Sequence, residues 1–236
     1  MMLWYKAWLE TRTRFLIALA GMTALGAWRT YNLSHMMPAW TGASYYYLVL
    51  REAHDLLNPM FVVATTLLLM GGLLQEKSNG PALFTLGLPV SRGRLMGAQI
   101  GMGLIEGILL LAVPWAAICI TVVLTGPMRP GSLALFYAMV TASGGAVFAG
   151  ISLLASSLIE GTYTAPIVSL GVAFLCANAP RSWAAVNPSD FMGGRACLDK
   201  SNMLTGPWPW GHATAFLAVA AALIWTSIKV IEKRDF

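Results

Sequence analysis

Charge is what this chain has least of. Only 11% of its 236 residues are Asp, Glu, Lys or Arg, against 57% hydrophobic, and the mean hydropathy is +0.67. An ordinary soluble domain carries about 25% charged residues, so a water-facing globule is excluded. Catalytic signatures are missing as well. No Gly-x-x-x-x-Gly-Lys-Ser/Thr is present, so the chain is not expected to bind ATP through a P-loop. With neither a Gly-x-Ser-x-Gly elbow nor a His-Glu-x-x-His zinc pair, it is not expected to be an enzyme or to carry its own cofactor or metal. Cysteine is scarce, at three residues, too few for a disulfide framework. Cys176 and Cys197 are the pair able to meet in an oxidising space; three free thiols are the alternative.

What is present is a series of apolar runs near the bilayer length of about 20 residues, at 15–32, 57–74, 97–124, 132–159, 163–179 and 211–231. They predict an all-α integral membrane protein with six transmembrane helices forming one domain over 1–236. The first run follows Lys6, Arg12 and Arg14 without a small-residue cleavage site behind it, and reads as a retained anchor. Ahead of it, Trp4, Tyr5 and Trp8 interleave with Lys6, Glu10 and Arg12. That pattern suits an interfacial helix in the headgroup layer or a plain aromatic belt. Asn58-Pro59 reads as the N-cap and first-turn proline of the second span, and Glu160-Gly161 as a tight turn between the fourth and fifth. Gly97, Gly101, Gly103 and Gly107 in the third span, with Gly145, Ala149, Ser152 and Ser156 in the fourth, are spaced for close helix packing in lipid.

A cytosolic N-terminus places Lys6, Arg12, Arg14, Lys77, Arg92, Arg94, Lys229, Lys233 and Arg234 inside, against Arg29, Arg51, Arg129, Arg181, Arg195 and Lys200 outside. This is the expected positive-inside bias, and the inside charges crowd the membrane ends. Both termini are then cytoplasmic. The net charge of +5 follows from this topology and does not point to nucleic acid. His35, His54 and His212 fall on the outer side, where His35-Met36-Met37 is read as packing rather than a soft-metal site, given thirteen methionines in all. The outer segment 33–56 carries an amphipathic stretch from Leu48 to Leu57, read as a surface helix. Residues 180–210, rich in Pro, Gly and Trp, suit short helices dipping into the interface before the last span, sheltered by protein. Glu106 is the carboxylate inside a span, and a charge at bilayer depth costs about 2.5–3.5 kcal/mol. It should face the bundle, either as a pathway residue or hydrogen-bonded to a neighbouring helix.

The most informative stretch is 75–94, a compact loop between two apolar runs. Gly80-Pro81 can end one segment and start another, and Leu83, Phe84, Leu86 and Leu88 form the apolar side of a short helix stopped at Pro89. Two turns of helix are not stable alone in water, so this one must dock, either on its own membrane domain and the lipid interface or in the groove of a partner. Glu76, Gly80, Leu83, Leu86 and the ending Leu88-Pro89-Val90-Ser91-Arg92 resemble the loop between the second and third membrane helices of ABC-2 type permeases, the membrane half of ABC exporters. The resemblance covers about twenty residues in motif and the whole chain in hydropathy layout.

That resemblance implies a cytosolic coupling helix between helices 2 and 3, with Glu76, Gly80, Leu83, Phe84, Leu86, Leu88, Pro89 and Arg92 contacting an ABC ATPase subunit that carries the ATP and Mg. It also implies a second permease copy or a homologous permease as partner, an outer re-entrant segment before helix 6, and a place in the inner (plasma) membrane. The competing expectation is a non-transporting membrane anchor or assembly subunit, separated by its indifference to ATP. A secondary transporter using Glu106 is weaker still, because no inverted repeat is seen.

Overall fold

The computed structural model describes residues 2–36, 43–69, 92–125, 132–159, 164–183, 186–194 and 207–233. Every element among them is helical: α1 (Met2–Met36), α2 (Ala43–Leu68), α3 (Arg92–Thr125), α4 (Ser132–Leu158), α5 (Thr164–Ala177), a 3-10 turn (Arg181–Trp183), α6 (Pro188–Met192) and α7 (Trp210–Lys233). Three of them, α3, α4 and α7, are long and apolar enough to cross a membrane, and α5 is apolar but shorter. Large apolar side chains such as Ile17, Ile108, Leu124, Leu135, Phe174 and Leu175 stand exposed on the exterior. Such a surface would aggregate in water and suits a hydrocarbon surround.

Helix α1 runs without a break through the boundary expected between an interfacial helix and a first span. No proline or glycine lies between Met2 and Ala20 to interrupt it. Phe15, Met22, Gly26, Thr30 and Leu33 form one buried stripe at helical spacing, while Leu16, Ile17, Leu25 and Trp28 point outward. The stripe packs chiefly against α3 and then α2. At Gly101 of α3 a side chain would collide with the Trp4 ring, so the missing Cβ lets the start of α1 lie against α3.

The expected boundary at Asn58-Pro59 is also absent. Pro59 lies inside α2, and the stretch 48–57, expected as a separate surface helix, belongs to the same helix as residues 58–68. A proline in a helix interior forfeits one backbone hydrogen bond. Here the buried stripe Leu50, Ala53, His54, Leu57, Phe61, Ala64 and Leu68 runs across that point on one face while Pro59 is exposed on another. Packing therefore carries the helix through. Pro114 is likewise interior to α3.

Helix α4 is the hub, with buried residues on all sides and contacts to α7, α5, α2 and α6. Three hydroxyls tie its neighbours to it through backbone carbonyls. Ser152 Oγ donates to Thr66 O of α2 at 3.1 Å, Ser169 Oγ of α5 donates to Phe148 O at 3.0 Å, and Ser227 Oγ of α7 donates to Leu153 O at 3.2 Å. Between helices surrounded by lipid, association rests on packing and on such bonds rather than on the hydrophobic effect. The turn at Glu160-Gly161 lies outside the described residues.

Candidate functional site

The segment that carries the resemblance, from Glu76 through Gly80, Leu83, Phe84, Leu86, Leu88 and Pro89, lies outside the described residues. Its flanks are described: α2 ends at Leu68 and Arg92 opens α3. The stretch is therefore the connection from α2 into a helix of about 50 Å at 1.5 Å per residue. At the same end of α3, Leu95, Met96 and Ile100 pack with Leu153 of α4 and Ile231 of α7, with Leu3 of α1 and Leu69 beside them. The start of α1, the end of α2, the start of α3 and the ends of α4 and α7 thus share one small apolar core.

Glu106 is buried at 1% exposure. Its Oε1 accepts a hydrogen bond from the Thr11 hydroxyl of α1, while Oε2 has no partner among the described residues. The Thr11 hydroxyl also reaches the Ala7 carbonyl at 3.1 Å. Glu106 thus sits in the α1–α3 seam.

On the other face of α3, an apolar cavity of about 710 Å³ opens between α2, α3, α4 and α7, lined by Phe61, Leu68, Leu111, Trp115, Ala138 and Leu153 among others. Its size matches small-molecule sites, which run about 300–1,000 Å³. Glu106 is not among its lining residues. Thr65, which is, turns its hydroxyl back to Phe61 O at 2.8 Å and not into the cavity.

Sequence reasoning placed His54 on the outer side and gave it no role. In the structure it is buried at 1% exposure, stacked on Tyr137 with centroids 4.2 Å apart and 6.2 Å from Trp115. Its Nε2 lies 2.7 Å from Met192 O of the short helix α6. A carbonyl only accepts, so Nε2 carries the proton and donates. Asn187 caps α6 through its side chain, accepting from Ser189 N at 3.0 Å, while its amide donates to Cys176 O of α5 and to Asp190. Met192 closes on Gly144 of α4, and Gly194 takes a left-handed φ of 65° against Phe136. The segment after α5 is thereby latched to α2, α4 and α5. The clue in the sequence was His54 itself, on the same helical face as Leu50 and Leu57.

Among the described residues no cluster of His, Cys, Asp and Glu could hold a metal ion. Cys119 and Cys176 are free thiols, and Cys197 lies outside the described residues. No model of a known protein family matches this chain, and no curated protein matches it.

Proposed function

We propose that the chain is the transmembrane permease subunit of an ABC exporter, working as a homodimer or beside a homologous permease, with ATP hydrolysed on separate ATPase subunits. The observation that carries this reading is the run Glu76, Gly80, Leu83, Leu86 and Leu88-Pro89-Val90-Ser91-Arg92 in the connection between α2 and α3. Glu76, Gly80, Leu83, Phe84, Leu86, Leu88, Pro89 and Arg92 form the coupling surface, with both termini and this connection on the cytoplasmic side of the inner (plasma) membrane. The shared core of Leu95, Ile100, Leu153 and Ile231 supports it mechanically. A push on the connection reaches the ends of α3, α4 and α7 together.

The latched segment around α6 is the outer gate in this scheme. Glu106 enters a pathway only where α1 moves off α3, because its carboxyl is bonded to Thr11. The second reading, a membrane anchor or assembly subunit, draws on the same apolar helices and differs in needing no nucleotide. Substitution at the coupling helix tests the proposal. Burying a side chain such as Leu83 or Phe84 stabilises an interface by about 1.5–3 kcal/mol. Leu83→Ala or Phe84→Ala should therefore weaken ATPase association roughly tenfold or more and lower stimulated ATP hydrolysis, with the membrane bundle still folded. Unchanged association and hydrolysis in both variants would remove the coupling helix from the scheme.

A further inference from the structure

Helices α2 and α4 run parallel, with contacts that advance along both in the same direction. His54 stacks on Tyr137, Phe61 lies against Gly145, and Ser152 bonds to Thr66 further along. One turn beyond His54 and Tyr137, on the same two facing stripes, come Asn58 and Thr141. All four side chains carry a buried polar atom with no partner among the described residues: His54 Nδ1, Asn58 Oδ1, Tyr137 OH and Thr141 Oγ1. Buried polar atoms in native proteins are nearly always hydrogen-bonded, to protein or to ordered water. Four orphans gathered on one seam therefore mark a place built for something else.

The chemistry of the four groups says what fits. Because His54 donates through Nε2 to Met192 O, a neutral ring presents Nδ1 as a bare acceptor. Asn58 Oδ1 is an acceptor too, and the two hydroxyls can each accept or donate. None of the four bonds to another, and none is charged while the imidazole is neutral. The complementary ligand is small, neutral and rich in donors. Buried water typically makes about three hydrogen bonds to such groups. The Trp115 ring, stacked 5.9 Å from Tyr137, also lines the apolar cavity, whereas none of the four residues is among its lining.

We propose that the facing stripes of α2 and α4 form a hydration site, in which ordered water bridges His54 Nδ1, Asn58 Oδ1, Tyr137 OH and Thr141 Oγ1. Water donating to Nδ1 holds the imidazole in the tautomer that bonds Met192 O, so the site supports the latch on α6. This inference is independent of any partner ATPase. His54 becomes the single histidine of the chain in a His35→Gln, His212→Gln background, since the sequence holds three. Solid-state NMR of that protein in proteoliposomes, with ¹⁵N-labelled histidine, can follow magnetisation passed from water to the ring.

The expected result is rapid transfer to His54 despite its burial, lost in Thr141→Val, whose side chain keeps the shape and discards the hydroxyl. Asn58→Leu should act in the same direction, and Thr141→Val serves alone if that variant does not fold. Transfer to His54 no faster than to buried aliphatic groups would overturn the site. Rapid transfer untouched by Thr141→Val would overturn it equally, because water would then reach the ring by another route.

Discussion

The Thr11–Glu106 contact between α1 and α3 yields an asymmetry that can be measured. The Thr11 hydroxyl has three acceptors within reach, the Glu106 carboxyl, the Ala7 carbonyl and, at 3.5 Å, the Trp8 carbonyl. Among the described residues, Glu106 has one donor for Oε1 and none for Oε2. Thr11→Val strips a fully buried carboxyl of its partner, and an unsatisfied buried group costs about 1–3 kcal/mol. Glu106→Leu loses one hydrogen bond, worth about 1 kcal/mol, but also discards the orphan Oε2 and leaves Thr11 bonded to Ala7. The two terms oppose each other, so Glu106→Leu should fall within about 1 kcal/mol of the parent, and the double variant should recover most of what Thr11→Val loses. Denaturant titration in mixed micelles, followed by fluorescence of the nine tryptophans, reads these differences as a double-mutant cycle. A harmless Thr11→Val combined with an unfolded Glu106→Leu would rule this pairing out, because the carboxyl would then be anchored by something other than Thr11.

Interhelical hydroxyl bonds in membrane proteins average about 0.6 kcal/mol and reach about 1.7. Ser152→Ala, Ser169→Ala and Ser227→Ala should each cost within that range in the same titration, and a loss several times larger at any of them would mean the hydroxyl does more than tie α4 to its neighbour. Gly144→Val would place a side chain against Met192 and 3.0 Å from Pro188 O. Overpacking of this kind costs about 1–3 kcal/mol and should loosen α6, seen as faster proteolysis between α5 and α7; an unchanged cleavage pattern would count against the latch. Single cysteines at positions 92, 129 and 200 should react with an impermeant thiol reagent from outside at 129 and 200 and not at 92, and outside labelling at 92 would reverse the topology.

Where helices begin and end was legible wherever long apolar runs set the boundary. The runs at 97–124, 132–159 and 211–231 became α3, α4 and α7 with ends displaced by a few residues. One dipeptide, present twice, shows why local signals failed elsewhere. Asn187-Pro188 caps a helix, because Asn187 has extended backbone and its side chain accepts from Ser189 N. Asn58-Pro59 sits inside one, because the stripe from Leu50 to Leu68 keeps both halves of α2 against the same neighbours. Local chemistry offered a cap in both places, and tertiary packing decided which was used.

His54 illustrates the opposite limit. A histidine beside Arg51 and Asp55 reads as an outer-surface residue, and only the partners brought by α3, α4 and α6 turn it into the centre of a stacked cluster. Glu106 was legible as an inward-facing carboxyl, since the cost of a charge in hydrocarbon demands that. Its partner was not, because Thr11 lies in a segment whose aromatic and charged residues suggested a separate interfacial helix. The candidate coupling residues rest on the sequence resemblance between α2 and α3.

The exporter reading stands on one requirement, that this chain delivers force from an ATPase to a membrane pathway. Its sharpest test is purification of the intact chain from its native membrane in mild detergent, with the bound proteins identified by mass and assayed for ATP hydrolysis. A P-loop ATPase should appear in near-stoichiometric amount, with hydrolysis that falls when Leu83 or Phe84 is truncated. A chain that emerges intact and folded with no nucleotide-hydrolysing partner would contradict the exporter reading and leave the membrane anchor in its place.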